Sequence, residues 1–115
     1  MLFDSKSFGL MRSSLEGLSV QQQVILHNLA NVDTPGYKAR YVSFEDTLKH
    51  SKDKYDLKAH VFTDENTSIR ADGNNVEADT ESLKLYQNYV QQLYLYQKIS
   101  GQFTNLRYAL NQFTK

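Results

Sequence analysis

No cysteine occurs anywhere in these 115 residues. That excludes a disulfide framework and thiol catalysis, and it leaves the redox compartment open. An excess of one charge is missing too: 13 lysines and arginines balance 13 aspartates and glutamates. Without a cationic surplus, binding to nucleic acid or anionic lipid is not expected. The longest apolar run is Leu93-Tyr94-Leu95-Tyr96, far below the roughly 20 residues that span a bilayer. Direct membrane insertion is therefore not expected. Met1-Leu2-Phe3-Asp4-Ser5-Lys6 lacks a basic leader followed by an apolar block, so export, if it occurs, is expected to proceed without a cleaved signal peptide.

Chemistry-bearing constellations are scarce as well. His27, His50 and His60 are scattered, with no pair at metal-site spacing, and read as ordinary surface or packing histidines. The pairs Glu45-Asp46 and Asp64-Glu65 sit in polar segments and read as solvated. No glycine-rich phosphate loop is present, and Asp72-Gly73-Asn74-Asn75 lacks the alternating ligands and closing glutamate of a calcium loop. Asn66-Thr67-Ser68 fits a glycosylation sequon that no secretory signal supports. Tyr86, Tyr89, Tyr94, Tyr96 and Tyr108 could stack bases, but without interleaved basic residues they read as packing groups. No catalytic residue, metal or cofactor is expected, and the chain does not read as an enzyme.

Proline is confined to a single position, and that position organises the chain. A long amphipathic pattern stops at Asn28-Leu29-Ala30-Asn31-Val32-Asp33-Thr34-Pro35-Gly36-Tyr37-Lys38. Asn31 can take the left-handed conformation that closes a helix, and Thr34, preceding proline, is pushed into extended backbone. Pro35-Gly36 suits a type II turn, with glycine at the position that needs positive φ.

Before that break, positions 8, 11, 15, 18, 22, 25, 29 and 32 step by threes and fours. They read Phe8, Met11, Leu15, Leu18, Gln22, Ile25, Leu29 and Val32, an a/d seam built to meet another helix. After Asp79 or Thr80, either of which can cap a helix, with Glu81 near its positive end, the theme returns. Leu85, Tyr89, Gln92, Tyr96, Ile99, Phe103, Leu106, Leu110 and Phe113 form the second seam, and Leu83, Tyr86, Val90 and Leu93 a stripe beside its first half. Gly9, Gly17 and Ser100-Gly101 interrupt these helices, each glycine costing about 1 kcal/mol relative to alanine. Their stability must come from packing. Close approach of a partner helix and tolerated imperfection are both open readings of these small residues. Gln21, Gln22, Gln23, Gln87, Gln91, Gln92, Gln97, Gln102 and Gln112 stand where solubilising ion pairs would be usual. Glutamine can hydrogen-bond across a helix contact without the desolvation cost of a buried ion.

Between the helices, Tyr37-Lys38-Ala39-Arg40-Tyr41 alternates like a strand, Ser43 to Leu48 can form a helical turn, and a polar stretch runs from Lys49 to Asp56. Leu57-Lys58-Ala59-His60-Val61-Phe62 alternates again. Ile69-Arg70-Ala71 and Val76-Glu77-Ala78 flank Asp72-Gly73-Asn74-Asn75, a turn signal that predicts a small hairpin. The expected fold is mainly α: two long terminal amphipathic helices paired as a coiled coil or helical bundle, with a short extended or β-hairpin middle module. The boundaries fall at 1–36 for the first helix and turn, 37–78 for the module, and 79–115 for the last helix, which forms one domain with the first.

The helix ending in Asn28-Leu29-Ala30-Asn31-Val32-Asp33-Thr34-Pro35-Gly36-Tyr37-Lys38 resembles the signature of bacterial flagellar axial proteins. Lys38-Ala39-Arg40 followed by Ser43-Phe44-Glu45, and Gly73-Asn74-Asn75-Val76 leading into Asp79-Thr80-Glu81, resemble the proximal-rod (FlgB-type) branch of the flagella basal body rod protein family. The likeness covers residues 5–48 and 73–113. His27 departs from it, standing where asparagine is common, and the middle segment is shorter than usual. The resemblance implies a structural subunit exported unfolded by the flagellar type III apparatus. It would join copies of itself, other rod subunits and basal-body proteins in a hollow, torque-transmitting rod spanning the periplasm. The motif residues Asn28, Leu29, Ala30, Asn31, Thr34, Pro35, Gly36 and Tyr37 would set the turn. Phe8, Met11, Leu15, Leu18, Ile25, Leu29, Val32, Leu85, Tyr89, Tyr96, Ile99, Phe103, Leu106 and Leu110 would form the assembly interface. The sister proximal rod protein and a soluble helical adaptor or secretion chaperone are the alternatives.

Overall fold

The computed structural model describes residues 6–46, 57–65 and 70–114. Helix α1 runs Lys6–Ala30, strands β1 and β2 run Arg40–Asp46 and Leu57–Thr63, and helix α2 runs Ala78–Phe113. The mainly helical fold with a short strand pair between the helices is the one expected. The sequence readings of the N-terminal leader, the Lys49–Asp56 stretch, His50 and the Asn66–Ser68 sequon lie outside the described residues.

The two helices are antiparallel. Asn88 of α2 reaches Leu18 of α1 while Glu81 reaches Asn28, so α2 descends as α1 climbs. A 36-residue α2 is about 54 Å long, against about 37 Å for the 25 residues of α1. By that register α1 begins level with about residue 103, and every described residue from 103 to the end of α2 is exposed. The chain is accordingly elongated, 69 × 30 × 13 Å, and its radius of gyration of 18.9 Å exceeds the roughly 13 Å of a compact domain of this length.

Where the helices meet, the seam is largely polar. Buried Asn88 donates to the Leu18 carbonyl at 2.8 Å and to Gln21 Oε1 at 2.9 Å, and Gln92 donates to Gln22 Oε1 at 3.2 Å. Glutamine does bridge the helices here. A buried asparagine in such a seam fixes register, because any slip leaves its amide unpaired in the interior. The least exposed line of α2 is Glu81, Leu85, Asn88, Gln92, Leu95, Ile99 and Gln102. Tyr89 and Tyr96, expected in the seam, stand outside it at 62% and 57% exposure. Asn88 and Leu95 take their places because polar pairing, not apolar spacing, sets the helix rotation.

Strands β1 and β2 pair antiparallel, Arg40 opposite Thr63 and Asp46 opposite Leu57. This corrects two expectations. Ser43 to Asp46 is strand and not a helical turn, and among the described residues 70–78 there is no strand, only a turn closed by the Arg70 N–H to the Asn74 carbonyl at 3.3 Å; Ile69 lies outside the described residues. The polar groups of residues 70–75 are instead spent on residues 31–39, as described below. The strand pair lies on α1, and there Gly17 has its reason: a Cβ at this position would sit 2.4 Å from the Phe44 ring. The close approach that glycine permits is to the chain's own β1, not to a partner helix. Among the described residues the buried apolar side chains are Leu18, Ile25, Ala39 and Val76. No described helix is long and apolar enough to cross a membrane.

Candidate functional site

Helix α1 ends in a run of tight turns. The Asn31 amide N–H bonds the Asn28 carbonyl at 3.1 Å, Val32 bonds Leu29 at 3.3 Å and Thr34 bonds Asn31 at 3.0 Å. Asn31 does not enter the left-handed region, since among the described residues only glycines have positive φ. Its side chain performs the closure instead: Nδ2 donates to the His27 carbonyl at 2.8 Å and Oδ1 accepts from the Thr34 hydroxyl at 3.0 Å. The expected turn follows, with Gly36 at φ 73 and the Tyr37 N–H bonding the Thr34 carbonyl at 3.2 Å.

A second turn, residues 70–75, locks onto the first. Fully buried Asn74 directs its amide nitrogen to three carbonyls, Asn31 at 2.9 Å, Val32 at 3.2 Å and Thr34 at 2.7 Å. The Arg70 guanidinium also donates to Val32. These carbonyls follow the helix end and lack intrahelical donors, so residues 43 positions away supply the cap. The Asn74 Oδ1 accepts from the Val76 N–H at 2.8 Å and so holds its own loop. Further links are Gly36 N–H to the Asp72 carbonyl at 2.9 Å, and Lys38 Nζ to the Gly73 carbonyl at 2.6 Å.

Asn28 joins three elements at once. Its Nδ2 donates to the Arg40 carbonyl at 2.8 Å and to Glu81 Oε2 at 3.1 Å, while Oδ1 accepts from the Arg40 N–H at 3.0 Å and from the Tyr37 hydroxyl at 2.9 Å. All four hydrogen-bonding capacities of the amide are used. In exchanging both bonds with Arg40 the side chain behaves like one more strand residue, tying β1 to α1. Asn75 instead bridges the residues flanking the two strands, accepting from the Ala39 N–H at 2.6 Å and donating to the Asp64 carbonyl at 2.9 Å. His27 Nδ1 lies 2.8 Å from the same Tyr37 hydroxyl and 3.5 Å from Asn31 Nδ2. Burial raises the Tyr37 pKa; Arg40 pulls it back and Glu81 adds to the rise. Tyr41 is raised by burial and by its 3.0 Å hydrogen bond to Asp64.

Glu81 is buried, held by Asn28 and by Lys84 at 3.3 Å. Neither Asp79 nor Thr80 caps α2. The helix begins one or two residues earlier, with Glu77 at the cap position in extended backbone, so both lie inside its first turn. Glu81 lies in the first turn of α2, as expected, and its carboxylate also joins the turn cluster.

The motif residues converge at this cluster: Asn28 is buried, Leu29, Asn31 and Tyr37 are half-buried, and Ala30, Thr34, Pro35 and Gly36 are exposed. Of the seam residues, Leu18 and Ile25 are buried, and Phe8, Met11, Leu15, Leu29, Val32, Leu85 and Ile99 half-buried. Tyr89, Tyr96, Phe103, Leu106 and Leu110 are exposed. Asn74, Asn75 and Glu81 complete the cluster yet were not among the expected site residues. The paired asparagines beside Gly73 carried the only signal. Among the described residues no three acidic, histidine or cysteine side chains gather to hold a metal. The arrangement supplies fixed geometry between helix ends.

No family model matches the chain. Individual proteins do. The chain is 32% identical over 115 aligned positions to the flagellar basal body rod protein FlgB of Bacillus subtilis, covering 87% of this chain and 89% of the relative. This chain belongs to the FlgB family of flagellar basal body rod proteins. FlgB of Borrelia hermsii is 32% identical over 88% of the chain and 87% of its own length. FlgB of Borreliella burgdorferi is 34% identical over 64% and 73%. For a FlgB-family chain the turn cluster spans the segments that carry the family resemblance, Asn28–Lys38 and Gly73–Glu81. The adaptor and chaperone readings are not favoured.

Proposed function

We propose that this chain is a subunit of the proximal rod of the bacterial flagellar basal body that completes its packing only against neighbours. Family membership makes it a structural rod component with basal-body partners and a basal-body location. The observation that carries the reading further is the mismatch between helix and core. A 36-residue α2 leaves Tyr89, Tyr96, Phe103, Leu106, Leu110 and Phe113 exposed. Ordering such a segment costs about 1–2 kcal/mol per residue, and the buried apolar side chains Leu18, Ile25, Ala39 and Val76 lie elsewhere. Copies of itself and other rod subunits would cover these faces, closing a hollow, torque-transmitting tube.

In this reading residues 1–36 and 79–115 form the tube wall and 37–78 the outward module, with the turn cluster setting the angle between them. The interface comprises Phe8, Met11, Leu15, Leu18, Ile25, Leu29 and Val32 together with Leu85, Tyr89, Tyr96, Ile99, Phe103, Leu106 and Leu110. Coupling of folding to assembly suits export of an unfolded chain through the flagellar type III apparatus, without a cleaved signal peptide, into a rod that spans the periplasm. Circular dichroism and sedimentation over a concentration series test it. Helicity is expected to rise as the chain associates; full helicity in a dilute monomer that never associates would overturn it.

A further inference from the structure

Resting on that reading, α2 presents two apolar lines of identical spacing. Leu83, Tyr86, Val90 and Leu93 occupy its first half; Phe103, Leu106, Leu110 and Phe113 its last, each 20 positions further along. Both lines are exposed, from 38% at Leu106 to 88% at Phe113. At 100° per residue, 20 residues turn about 200° around the helix. Leu83, Tyr86 and Leu93 lie on the face away from α1, opposite buried Asn88, and Val90 borders the groove that Leu18 and Phe44 also line. The late line continues the α1-facing side past the level where the described α1 begins.

Lines on opposite faces at opposite ends cannot both be covered by one two-fold partner. A second helix laid antiparallel would bring the first line against the last but leave the partner's complementary pair facing outward. Copies that keep the same direction and step sideways cover both, each touching two neighbours through unlike surfaces. Unlike surfaces joined with a shift along the helix axis cannot close into a ring and so give open assemblies.

Charge selects the same direction. From Ser82 to Lys115 there are four cationic side chains and no acidic one, whereas Glu77 and Asp79 are exposed at the start of α2. A parallel shift of 20 residues brings Lys98 level with Ala78, one position from Asp79, which lies on the early line's face. The antiparallel match, Leu83 opposite Phe113, sets Lys98 level with its own counterpart.

We propose that the late line of one copy's α2 packs on the early line of a second copy's α2, parallel and displaced by 20 residues, about 30 Å along the helix. This contact is the repeating step between copies. The absence of native cysteine makes the test direct. Full-length Val90→Cys and Leu110→Cys chains, both changed at exposed positions, are mixed, concentrated and mildly oxidised, with association followed by sedimentation. A disulfide joining a Val90→Cys chain to a Leu110→Cys chain is expected to form at least tenfold more than one joining two Val90→Cys chains. Preference for a like pair, or stronger linking of Val90→Cys to Leu106→Cys than to Leu110→Cys, would overturn the parallel register. Association without the link between positions 90 and 110 overturns this contact and leaves assembly standing. A chain that stays monomeric throughout overturns both.

Discussion

The two ends of α2 are built by different physics. Around its first turns, Asn28, Asn74 and Asn75 are buried with nearly every polar atom paired; beyond residue 103 the same helix is exposed and carries the apolar line Leu106, Leu110 and Phe113. Hydrogen bonds are directional and expensive to leave unmade, so the first end is specified from within the chain. Apolar contact is non-directional and roughly proportional to area, so the second end can be completed by whatever surface covers it. On the proposed reading, one end fixes an angle and the other awaits a neighbour.

The sharpest way to break this contrast is at Asn28. Asn28→Ala takes one partner each from the Arg40 backbone groups, the Tyr37 hydroxyl and the buried Glu81 carboxylate, and should destabilise the turn end by about 3 kcal/mol, since each buried group left unsatisfied costs about 1–3 kcal/mol. Urea unfolding of the variant checks this. Substitution of exposed Leu110 by alanine should leave monomer stability within about 0.5 kcal/mol and act on association alone.

Glycines sharpen the comparison next. Gly17→Ala must push the Phe44 ring aside, and overpacking of this kind costs about 1–3 kcal/mol, more than the roughly 1 kcal/mol that alanine returns in helix propensity. Gly101→Ala has nothing within 4 Å of its new methyl and should stabilise α2 by up to about 1 kcal/mol. Thermal melts of the two variants are expected to move in opposite directions. If a neighbouring helix approaches Gly101 in the assembly, the second variant will assemble less well while melting higher as a monomer.

Alkaline pH gives the smallest effect and again separates the ends. Tyr37 and Tyr41 have raised pKa values, so the fold holds their neutral phenols more strongly than the unfolded chain does. Their contribution is complete below the ordinary value near 10 and falls away as pH climbs through the raised values. Loss of the strand signal with α2 helicity retained, followed by circular dichroism above about pH 10, is the expected course.

Much of this was legible in the residues. Period-3.5 spacing announced both helices, Pro35-Gly36 announced the turn, and Gln22 and Gln92 announced a seam that tolerates polar pairs. The strand partner of Arg40–Asp46 was not legible, because a pairing partner 11 or more positions away leaves no local mark, while Asp72-Gly73-Asn74-Asn75 carries a strong hairpin signal of its own. Asn74 spends its amide on carbonyls 40 to 43 positions back, a role that composition cannot announce. Tyr89 and Tyr96 fit the apolar spacing, yet rotation of α2 was decided by Asn88, whose polarity hid it from a search for apolar lines.

Amide hydrogen exchange on the full chain, dilute and then associated, tests the central claim most directly. In the dilute chain, protection should be high at residues 24–40 and 74–92 and fall toward background beyond about residue 103, with the distal amides becoming protected only on association. Uniform strong protection through Phe113 in the dilute monomer, unchanged by concentration, would contradict it.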